Sequence, residues 1–240
     1  MEKVVFLDRQ SLNANVRKPS FEHEWEEYDQ TLPNEVVSRL SGATIALTNK
    51  VPIRKETLDQ LPNLKMIAVA ATGYDVIDIG ACKDKGVSVA NIRNYAVNTV
   101  PEHTFALILA LKRNLIAYRD DVLDGRWQKH DQFCFFDYRI SDLRNSTIGI
   151  FGEGALGQGT AKIAKGFGME VLFADHPPPK ADGVEFTDAE EVLKRSDIIS
   201  LHCPLTDSSR RFIGMEQFKI MKNDSISVSY THLRAHETSL

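Results

Sequence analysis

The chain has 240 residues, of which 42% are hydrophobic and 26% charged, and its formal net charge at pH 7 is −4. This length suits one large domain or two smaller ones, and the small negative charge disfavours nucleic acid or an anionic membrane as a partner. No apolar run reaches the roughly 18 residues of a membrane span, and Cys82, Cys134 and Cys203 form no metal or disulfide pattern, so a reducing cytoplasm is the expected location.

The first part of the chain alternates short apolar runs with helix-period segments. Val4–Leu7 is predicted to be a strand, and residues 20–31 are acidic and aromatic, which is typical of a loop with a short exposed strand. Further strands are predicted at Thr44–Leu47, Leu64–Ala70 and Val87–Ala90, and helices at Asn34–Leu40, Arg54–Gln60 and Val76–Lys85. This alternation predicts an α/β unit with a doubly wound parallel sheet.

A second unit is predicted from residue 97 onward. It opens with a long apolar helix over Thr99–Tyr118, which has Pro101 in its first turn. The polar and aromatic segment Asp120–Asp142 is then either a covering loop or an arm that packs on another subunit. Later helices are predicted at Asp188–Leu193 and Met215–Met221, and a strand at Asp197–Leu201. The second unit is therefore expected to share the doubly wound architecture of the first, without being complete.

The most informative stretch is residues 146–175. The apolar strand Thr147–Phe151 leads into Gly152-Glu153-Gly154-Ala155-Leu156-Gly157, which fits G-x-G-x-x-G, and a helix and a second apolar strand then end on Asp175. This order is the one that a Rossmann dinucleotide-binding unit requires. Asp175 can accept hydrogen bonds from the ribose hydroxyls and would repel a 2′-phosphate, so NAD(H) is predicted over NADP(H).

The residues of the glycine turn have separate physical roles. Gly152 permits the tight turn out of the strand, Gly154 lets a pyrophosphate approach the backbone, and Gly157 lets the helix pack against the sheet. Ala155 and Leu156 place amide groups at a helix N-terminus, where the partial positive charge favours an anion. The turn is therefore predicted to bind the cofactor's pyrophosphate.

Four motifs resemble the D-isomer-specific 2-hydroxyacid dehydrogenases, over residues 1 to about 226. The motifs are Ala71-Thr72-Gly73-Tyr74-Asp75 with Ile77-Asp78; Asn98-Thr99-Val100-Pro101-Glu102-His103; Gly152 to Gly157 with Asp175; and Asp197 with Leu201-His202-Cys203-Pro204-Leu205-Thr206. The resemblance implies an oxidoreductase that transfers hydride between NAD(H) and a small D-2-hydroxyacid or 2-oxoacid. Within the family, the overall spacing and Val4-Val5-Phe6-Leu7-Asp8 look most like the members that interconvert D-glycerate and hydroxypyruvate.

The resemblance implies a role for each matched residue. Thr72 and Gly73 would bind the substrate carboxylate through their backbone amides, and a glycine turn with exposed N–H groups is a reasonable anion nest. Thr99 would contact the nicotinamide end of the cofactor. The residues expected to line the cofactor after the third strand of its domain are His202, Cys203, Pro204 and Thr206. His103 is interpreted as a packed structural histidine.

The resemblance also implies an organisation of domains. A flavodoxin-like substrate domain would span residues 1–96, and an NAD-binding Rossmann domain would span residues 97–226. The long helix and the aromatic segment would join two copies into a homodimer. The same fold serves NAD-sensing corepressors of the C-terminal-binding-protein type, so a dimeric interaction protein is the alternative function.

The chain departs from the family pattern after Ile226. The family carries its catalytic arginine just after the strand expected there, and its glutamate and histidine come later. Residues 228–238 instead resemble a translated sequencing adaptor, so residues 227–240 are interpreted as a non-native tail and the fragment as catalytically incompetent. Arg234, His236 and Glu237 are suitable residue types, but no apolar pattern fixes them in place, so no catalytic role is assigned to them.

Overall fold

The computed structural model divides the chain into two compact units. They are Met1–Tyr95, called unit 1 here, and Ala96–Leu240, called unit 2. The structure describes residues 1–175, 185–204, 206 and 209–229. Each unit holds a five-stranded parallel sheet, which confirms the predicted α/β fold class of two doubly wound sheets. The roles assigned to residues 1–96, 97–226 and 227–240 stay predictions.

Unit 1 has the strand order β2-β1-β3-β4-β5. Its strands are β1 (Glu2–Phe6), β2 (His23–Glu27), β3 (Ile45–Thr48), β4 (Met66–Val69) and β5 (Ser88–Asn91). Its helices are α1 (Val36–Arg39), α2 (Lys55–Leu58) and α3 (Ile79–Asp84). The alternate residues Val5, Ala46 and Ile67 form one buried face with side chains from these helices, because successive residues of a strand point to opposite sides of the sheet.

Unit 2 has the strand order β10-β9-β6-β7-β8. Its strands are β6 (Thr147–Phe151), β7 (Glu170–Asp175), β8 (Phe186–Asp188), β9 (Ile198–Leu201) and β10 (Ile226–Ser229). Its helices are α4 (Thr99–Lys112), α5 (Leu115–Leu123), α6 (Arg126–Lys129), α7 (Ala155–Gly166), α8 (Ala189–Arg195) and α9 (Met215–Ile220). All five residues of the central strand β6 are buried, as expected for a parallel strand covered on both faces.

The long helix predicted over Thr99–Tyr118 is two helices. Asn114 separates α4 from α5 with a left-handed backbone, at φ 50°. Asparagine tolerates this conformation better than most residues because its short polar side chain can form local hydrogen bonds. The side-chain amide of Asn114 donates to the carbonyl of Arg139. The apolar content of the segment correctly predicted helical structure, but Asn114 interrupts the helix.

The helix predicted over Val76–Lys85 begins three residues later than expected. Asp78 is its N-cap, and the carboxylate accepts a hydrogen bond of 2.9 Å from the Ala81 amide. Such a side-chain cap satisfies one of the amides that a helix start leaves without an internal partner. The helix therefore begins only after Asp78, and the residues between β4 and Asp78 form a loop.

The sheet of unit 2 continues past Ile226, where the sequence departs from the family pattern. β10 pairs in parallel with β9 as far as Ser229, and Val228 is buried in the core cluster that Ile226 also contacts. Residues 230–240 of the predicted tail lie outside the described residues, and the non-native origin of residues 227–240 stays a prediction. In the part of the chain that the structure describes, we find no helix with both the length and the apolarity that a bilayer crossing requires.

Candidate dinucleotide and carboxylate sites

The glycine turn of unit 2 is a point of close backbone approach. Gly152 has φ 105°, and a Cβ there would lie 2.6 Å from the amide nitrogen of Cys203. A Cβ on Gly157 would collide with the carbonyl oxygen of Gly152. Both positions therefore require glycine, one for its backbone conformation and its contact and the other for its contact alone.

The space above the second glycine of the turn is open. Gly154 is the N-cap of α7, and a Cβ built on it would meet no atom within 4 Å. The first helical bond runs from the Gln158 amide to the Gly154 carbonyl, at 2.9 Å, so the amides of Ala155 and Leu156 precede the internal bonds of the helix. A helix N-terminus with open space in front of it suits a pyrophosphate.

Asp175 lies at the same edge of the sheet. It is the exposed last residue of β7, which pairs with β6. The carboxyl ends of neighbouring parallel strands meet at one edge, so the structure brings the glycine turn and Asp175 to one side of unit 2. The residues present therefore fit a dinucleotide, with backbone amides for the pyrophosphate and a carboxylate for the ribose.

His202 follows β9, on the other side of β6. Its amide donates to the Phe151 carbonyl at 2.7 Å. Its ring Nε2 lies 3.1 Å from the hydroxyl of Thr160 on α7 and 2.9 Å from the hydroxyl of Ser200. Because the Thr160 hydroxyl already donates to the Leu156 carbonyl at 3.0 Å, we assign the proton of the His202–Thr160 bond to Nε2.

The surroundings of His202 favour a neutral ring. Burial lowers the pKa of His202 from 6.5 to about 4, since charging a buried imidazole costs solvation energy. A ring that is neutral at pH 7 and bonded to α7 and β9 lacks the proton chemistry of a histidine poised near neutrality. This geometry agrees with the wall role that the resemblance implies.

Cys203 is packed in the interior, and hydrogen bonds link Pro204 and Thr206 to Ser209. Cys203 is buried, and burial raises the pKa of its thiol to about 11, so the sulfur is a neutral packing group. The Ser209 hydroxyl donates to the Pro204 carbonyl at 2.6 Å, and the Thr206 amide donates to the Ser209 hydroxyl at 2.7 Å. Pro204 is exposed and Thr206 is half-buried. The assignment of both residues to cofactor binding stays a prediction.

Thr99 opens α4 in unit 2 as its first helical residue, after the N-cap Asn98. The start of α4 lies against α7, where a Cβ on Gly159 would approach within 2.9 Å of Pro101. Thr99 is exposed near this contact. His103 is also exposed, so the interpretation of it as a packed histidine was wrong: Thr104 and Phe105, not His103, occupy the buried side of α4.

Thr72 and Gly73 lie in unit 1, in the exposed loop after β4. None of the hydrogen bonds among the described residues uses the amide N–H of either residue. A cavity of about 550 Å³ lies beside the loop, with Leu47, Asn49 and Ile92 among its lining residues. The Thr72 hydroxyl donates to the Ile92 carbonyl at 2.9 Å, so the loop is bonded to a residue that lines this cavity.

Reasoning from the sequence missed the polar partners of these loops. Thr160 and Ser200 are fully buried beside His202, and Asn91 donates to the Thr72 carbonyl at 2.7 Å. Two spacings in the sequence could have pointed to these partners. Thr160 lies one helical turn after Leu156 of the glycine turn, and Ser200 is two residues before His202, on the same face of the extended chain. Within the described ranges, no group of three or more His, Cys, Asp or Glu side chains is arranged to hold a metal ion.

The fold and the glycine turn define a dinucleotide-binding α/β protein. Residues 105–231 match the family model for the D-isomer specific 2-hydroxyacid dehydrogenase, NAD binding domain. Glycerate dehydrogenase from Methylorubrum extorquens is 53% identical over 229 residues, which are 95% of this chain and 72% of that enzyme. The chain therefore belongs to the D-isomer specific 2-hydroxyacid dehydrogenase family and carries its NAD-binding domain, which confirms the predicted cofactor class.

Further relatives agree with this assignment. Hydroxypyruvate reductase from Blautia hydrogenotrophica is 36% identical over 205 residues, or 83% of this chain and 64% of that enzyme. The structure of D-lactate dehydrogenase from Aquifex aeolicus with NAD and lactic acid has a TM-score of 0.75 at 28% identity, over 95% of this chain and 68% of that one. An acyclic imino acid reductase with NADPH and D-Arg has a TM-score of 0.80 at 27% identity, over 95% of this chain and 73% of that one.

The neutral state of His202 predicts a dependence of stability on pH. The pKa of His202 is about 4 in the folded chain, against 6.5 for a solvent-exposed histidine. As pH falls below 6.5, the unfolded chain therefore takes up a proton that the folded chain does not. His202 therefore contributes stability above pH 6.5 that is lost toward pH 4. Between pH 7 and pH 5, the free energy of unfolding should fall about 1 kcal/mol more in the wild type than in His202→Gln, after allowance for partial exposure.

Urea denaturation followed by far-UV circular dichroism at a series of pH values measures this difference. His103→Gln is the matched control, because that side chain is exposed on α4, and its profile should follow the wild type. Parallel profiles for the wild type and His202→Gln would contradict the neutral assignment.

Proposed function

We propose that this chain is the cofactor- and substrate-binding part of an enzyme that transfers hydride between NAD(H) and a small D-2-hydroxyacid or 2-oxoacid, with D-glycerate and hydroxypyruvate as the favoured pair. The open space above Gly154 at the start of α7 carries the cofactor half of the proposal. The names of two relatives, a glycerate dehydrogenase and a hydroxypyruvate reductase, support the substrate pair.

Each part of the cofactor has a partner of matching chemistry in unit 2. The nicotinamide supplies or accepts the hydride when the cofactor is bound. The amides of Ala155 and Leu156 would bind the pyrophosphate, and Asp175 the ribose hydroxyls. Thr99, His202, Cys203, Pro204 and Thr206 would form the remaining wall. Because His202 and Cys203 are neutral at pH 7, this wall adds no charge beside the pyrophosphate.

Asp175 should decide between the two nicotinamide dinucleotides. In the proposed binding mode its carboxylate would lie beside the ribose, where it would repel the negative charge of a 2′-phosphate. In Asp175→Ser, the ratio of the NADPH and NADH dissociation constants should fall by about tenfold or more. Fluorescence titration of the 240-residue chain with each cofactor measures this ratio. Glu190→Ser on α8 is the control, since it removes an exposed carboxylate of the same unit, and an unchanged ratio in Asp175→Ser would refute the assigned role.

The substrate half of the proposal depends on the loop after β4. The free amides of Thr72 and Gly73 are hydrogen-bond donors that face no protein acceptor among the described residues. Successive free amides on a glycine turn form a concavity that suits an oxyanion. The adjoining cavity of about 550 Å³ leaves room for the rest of a small acid.

We propose further that residues 1–240 do not contain the arginine, glutamate and histidine with which the family binds the substrate carbonyl and transfers its proton. The motifs that carry the family resemblance all lie before Ile226, and residues 228–238 resemble a translated sequencing adaptor instead of the family's next segment. The chain as given is then expected to bind NAD(H) weakly or not at all and to turn over nothing.

A chimera tests the proposed activity directly. Residues 1–226 would be joined to the corresponding C-terminal segment of the glycerate dehydrogenase from Methylorubrum extorquens, the relative with 53% identity. The chimera should oxidise NADH with hydroxypyruvate, followed at the absorbance of NADH, whereas the 240-residue chain should not. Measurable turnover by the 240-residue chain would disprove the proposal that it lacks the catalytic groups. A folded chimera that binds NADH without turnover would disprove the proposed reaction.

We also propose that unit 2 forms a homodimer through the apolar surface of α4, α5, α6 and the segment that follows. The exposed apolar side chains of this surface are Leu107, Leu111, Leu115, Ile116, Leu123, Trp127, Phe133 and Phe136. Phe133 is 85% exposed and Phe136 80% exposed. A run of large apolar side chains on consecutive elements is typical of a protein–protein interface, and a second copy is the partner that the family resemblance implies.

Removing both phenylalanines should weaken the dimer. The Phe133→Ser, Phe136→Ser double variant loses two aromatic side chains from the surface, so its dissociation constant should rise by about tenfold or more. Sedimentation velocity over a range of micromolar concentrations measures the shift toward monomer. Phe21→Ser is the control, because Phe21 is 47% exposed in unit 1. A wild-type chain that is monomeric throughout this range would rule out the proposed dimer.

A further inference from the structure

The loop that the proposed function assigns to the substrate carboxylate, residues 72–76, is called the carboxylate loop here. Its first residue, Thr72, is hydrogen-bonded to Asn91, which ends β5, and to Ile92, which follows β5. The Asn91 side-chain amide donates to the Thr72 carbonyl at 2.7 Å, and the Thr72 hydroxyl donates to the Ile92 carbonyl at 2.9 Å. The Ile92 amide donates to the Ala71 carbonyl at 3.1 Å. Two successive carbonyls, those of Ala71 and Thr72, are therefore held toward β5.

These bonds also fix the direction of the free amides. In a planar trans peptide, the N–H of one residue points opposite to the carbonyl of the residue before it. The carbonyls of Ala71 and Thr72 both point toward β5, so the N–H groups of Thr72 and Gly73 both point away from it. Two unoccupied donors on successive residues therefore lie on the same side of the loop, and successive free amides of this kind suit a carboxylate oxygen.

The other end of the carboxylate loop is held from the segment before α2. The Arg54 guanidinium Nη1 donates to the Asp75 carbonyl at 2.8 Å. The neighbouring Ile53 is fully buried, and its amide donates to the Val76 carbonyl at 3.0 Å. Arg54 therefore extends from a fixed backbone position to the far end of the loop.

Arg54 also changes the charge near the free amides. The Asp75 carboxylate lies close to Gly73, since a Cβ on Gly73 would be 3.5 Å from Asp75 Oδ1. This negative charge disfavours an anion at the loop. The guanidinium at the Asp75 carbonyl brings a compensating positive charge to the same segment.

We infer that Asn91 and Arg54 are positioning residues for substrate recognition: they hold the carboxylate loop from its two ends so that the amides of Thr72 and Gly73 meet a 2-oxoacid carboxylate together. This inference rests on the proposed function, which places the carboxylate at Thr72 and Gly73. Neither side chain is assigned a contact with the substrate. Both act through the backbone of the loop, by orientation and, for Arg54, also by charge.

Titration of the isotopically labelled 240-residue chain with oxamate, a stable analogue of a 2-oxoacid, tests the inference by nuclear magnetic resonance. In the wild type, the amide resonances of Thr72 and Gly73 should shift and saturate. Asn91→Ala and Arg54→Ala should each raise the oxamate dissociation constant roughly 3- to 10-fold, the effect of losing one hydrogen bond. Hydrogen exchange at the Ile92 amide, which donates to the Ala71 carbonyl, should become faster in Asn91→Ala.

Conservative variants separate orientation from general stability. Arg54→Lys should recover most of the affinity, and Arg54→Gln, which keeps a donor without the charge, should recover part of it. Lys55→Ala is the matched control: Lys55 is adjacent, exposed and paired with Asp59 at 2.9 Å, and its loss should leave affinity unchanged. Melting temperatures of Arg54→Ala and Asn91→Ala that stay near that of the control exclude unfolding as the cause.

The outcomes distinguish the inference from the proposal on which it rests. If oxamate fails to shift Thr72 and Gly73 in the wild type, the carboxylate site itself is disproved, and the inference with it. If oxamate binds the wild type there, and Asn91→Ala and Arg54→Ala bind it with the same affinity, only the inference is overturned.

Discussion

The close approach of backbones around β6 is the constraint on which unit 2 depends. Gly157 of α7 lies directly against the Gly152 carbonyl, and Gly152 lies against the backbone of Cys203. On the same strand, a Cβ on Gly149 would overlap Val192 and Ser196 at α8. Dense interiors leave no room for an added methyl group at such contacts. The two helices can therefore lie close to β6 only because the strand and turn carry glycine at these points.

This packing places the groups of the dinucleotide site at one edge of the sheet. With α7 held close to β6, Thr160 comes within hydrogen-bond distance of His202 from β9. The helix N-terminus then faces open space at Gly154 rather than protein. The Thr160–His202 hydrogen bond and the open space at Gly154 both depend on the glycine contacts. A longer distance between α7 and β6 would break this hydrogen bond and would change the shape of that space.

Both units use the same physical device to fix loops at the carboxyl ends of their strands. In unit 1, the buried Asp8 after β1 accepts hydrogen bonds from the amides of Asn49 and Lys50 after β3. Asn91 fixes Thr72, and in unit 2 His202 is bonded to Thr160. In each case a side chain from one element satisfies a polar group of a loop that follows a neighbouring strand. A loop held in this way has lost conformational freedom before any ligand binds, which lowers the entropic cost of binding.

The sequence by itself determined the fold class, the glycine turn and the family. Short apolar runs and helix-period apolar patterns depend on burial alone, so they predicted the strands around β6 and the helix α7 without knowledge of their neighbours. The break at Asn114 and the late start of α3 at Asp78 escaped prediction, because each depends on one residue's local hydrogen bonding. Only the tertiary structure decided which polar groups meet: Thr160 with His202, Asn91 with Thr72, and Arg54 with Asp75. These partners are 19 to 42 residues apart in the chain, and no local pattern carries information about a contact that the packing of the strands creates.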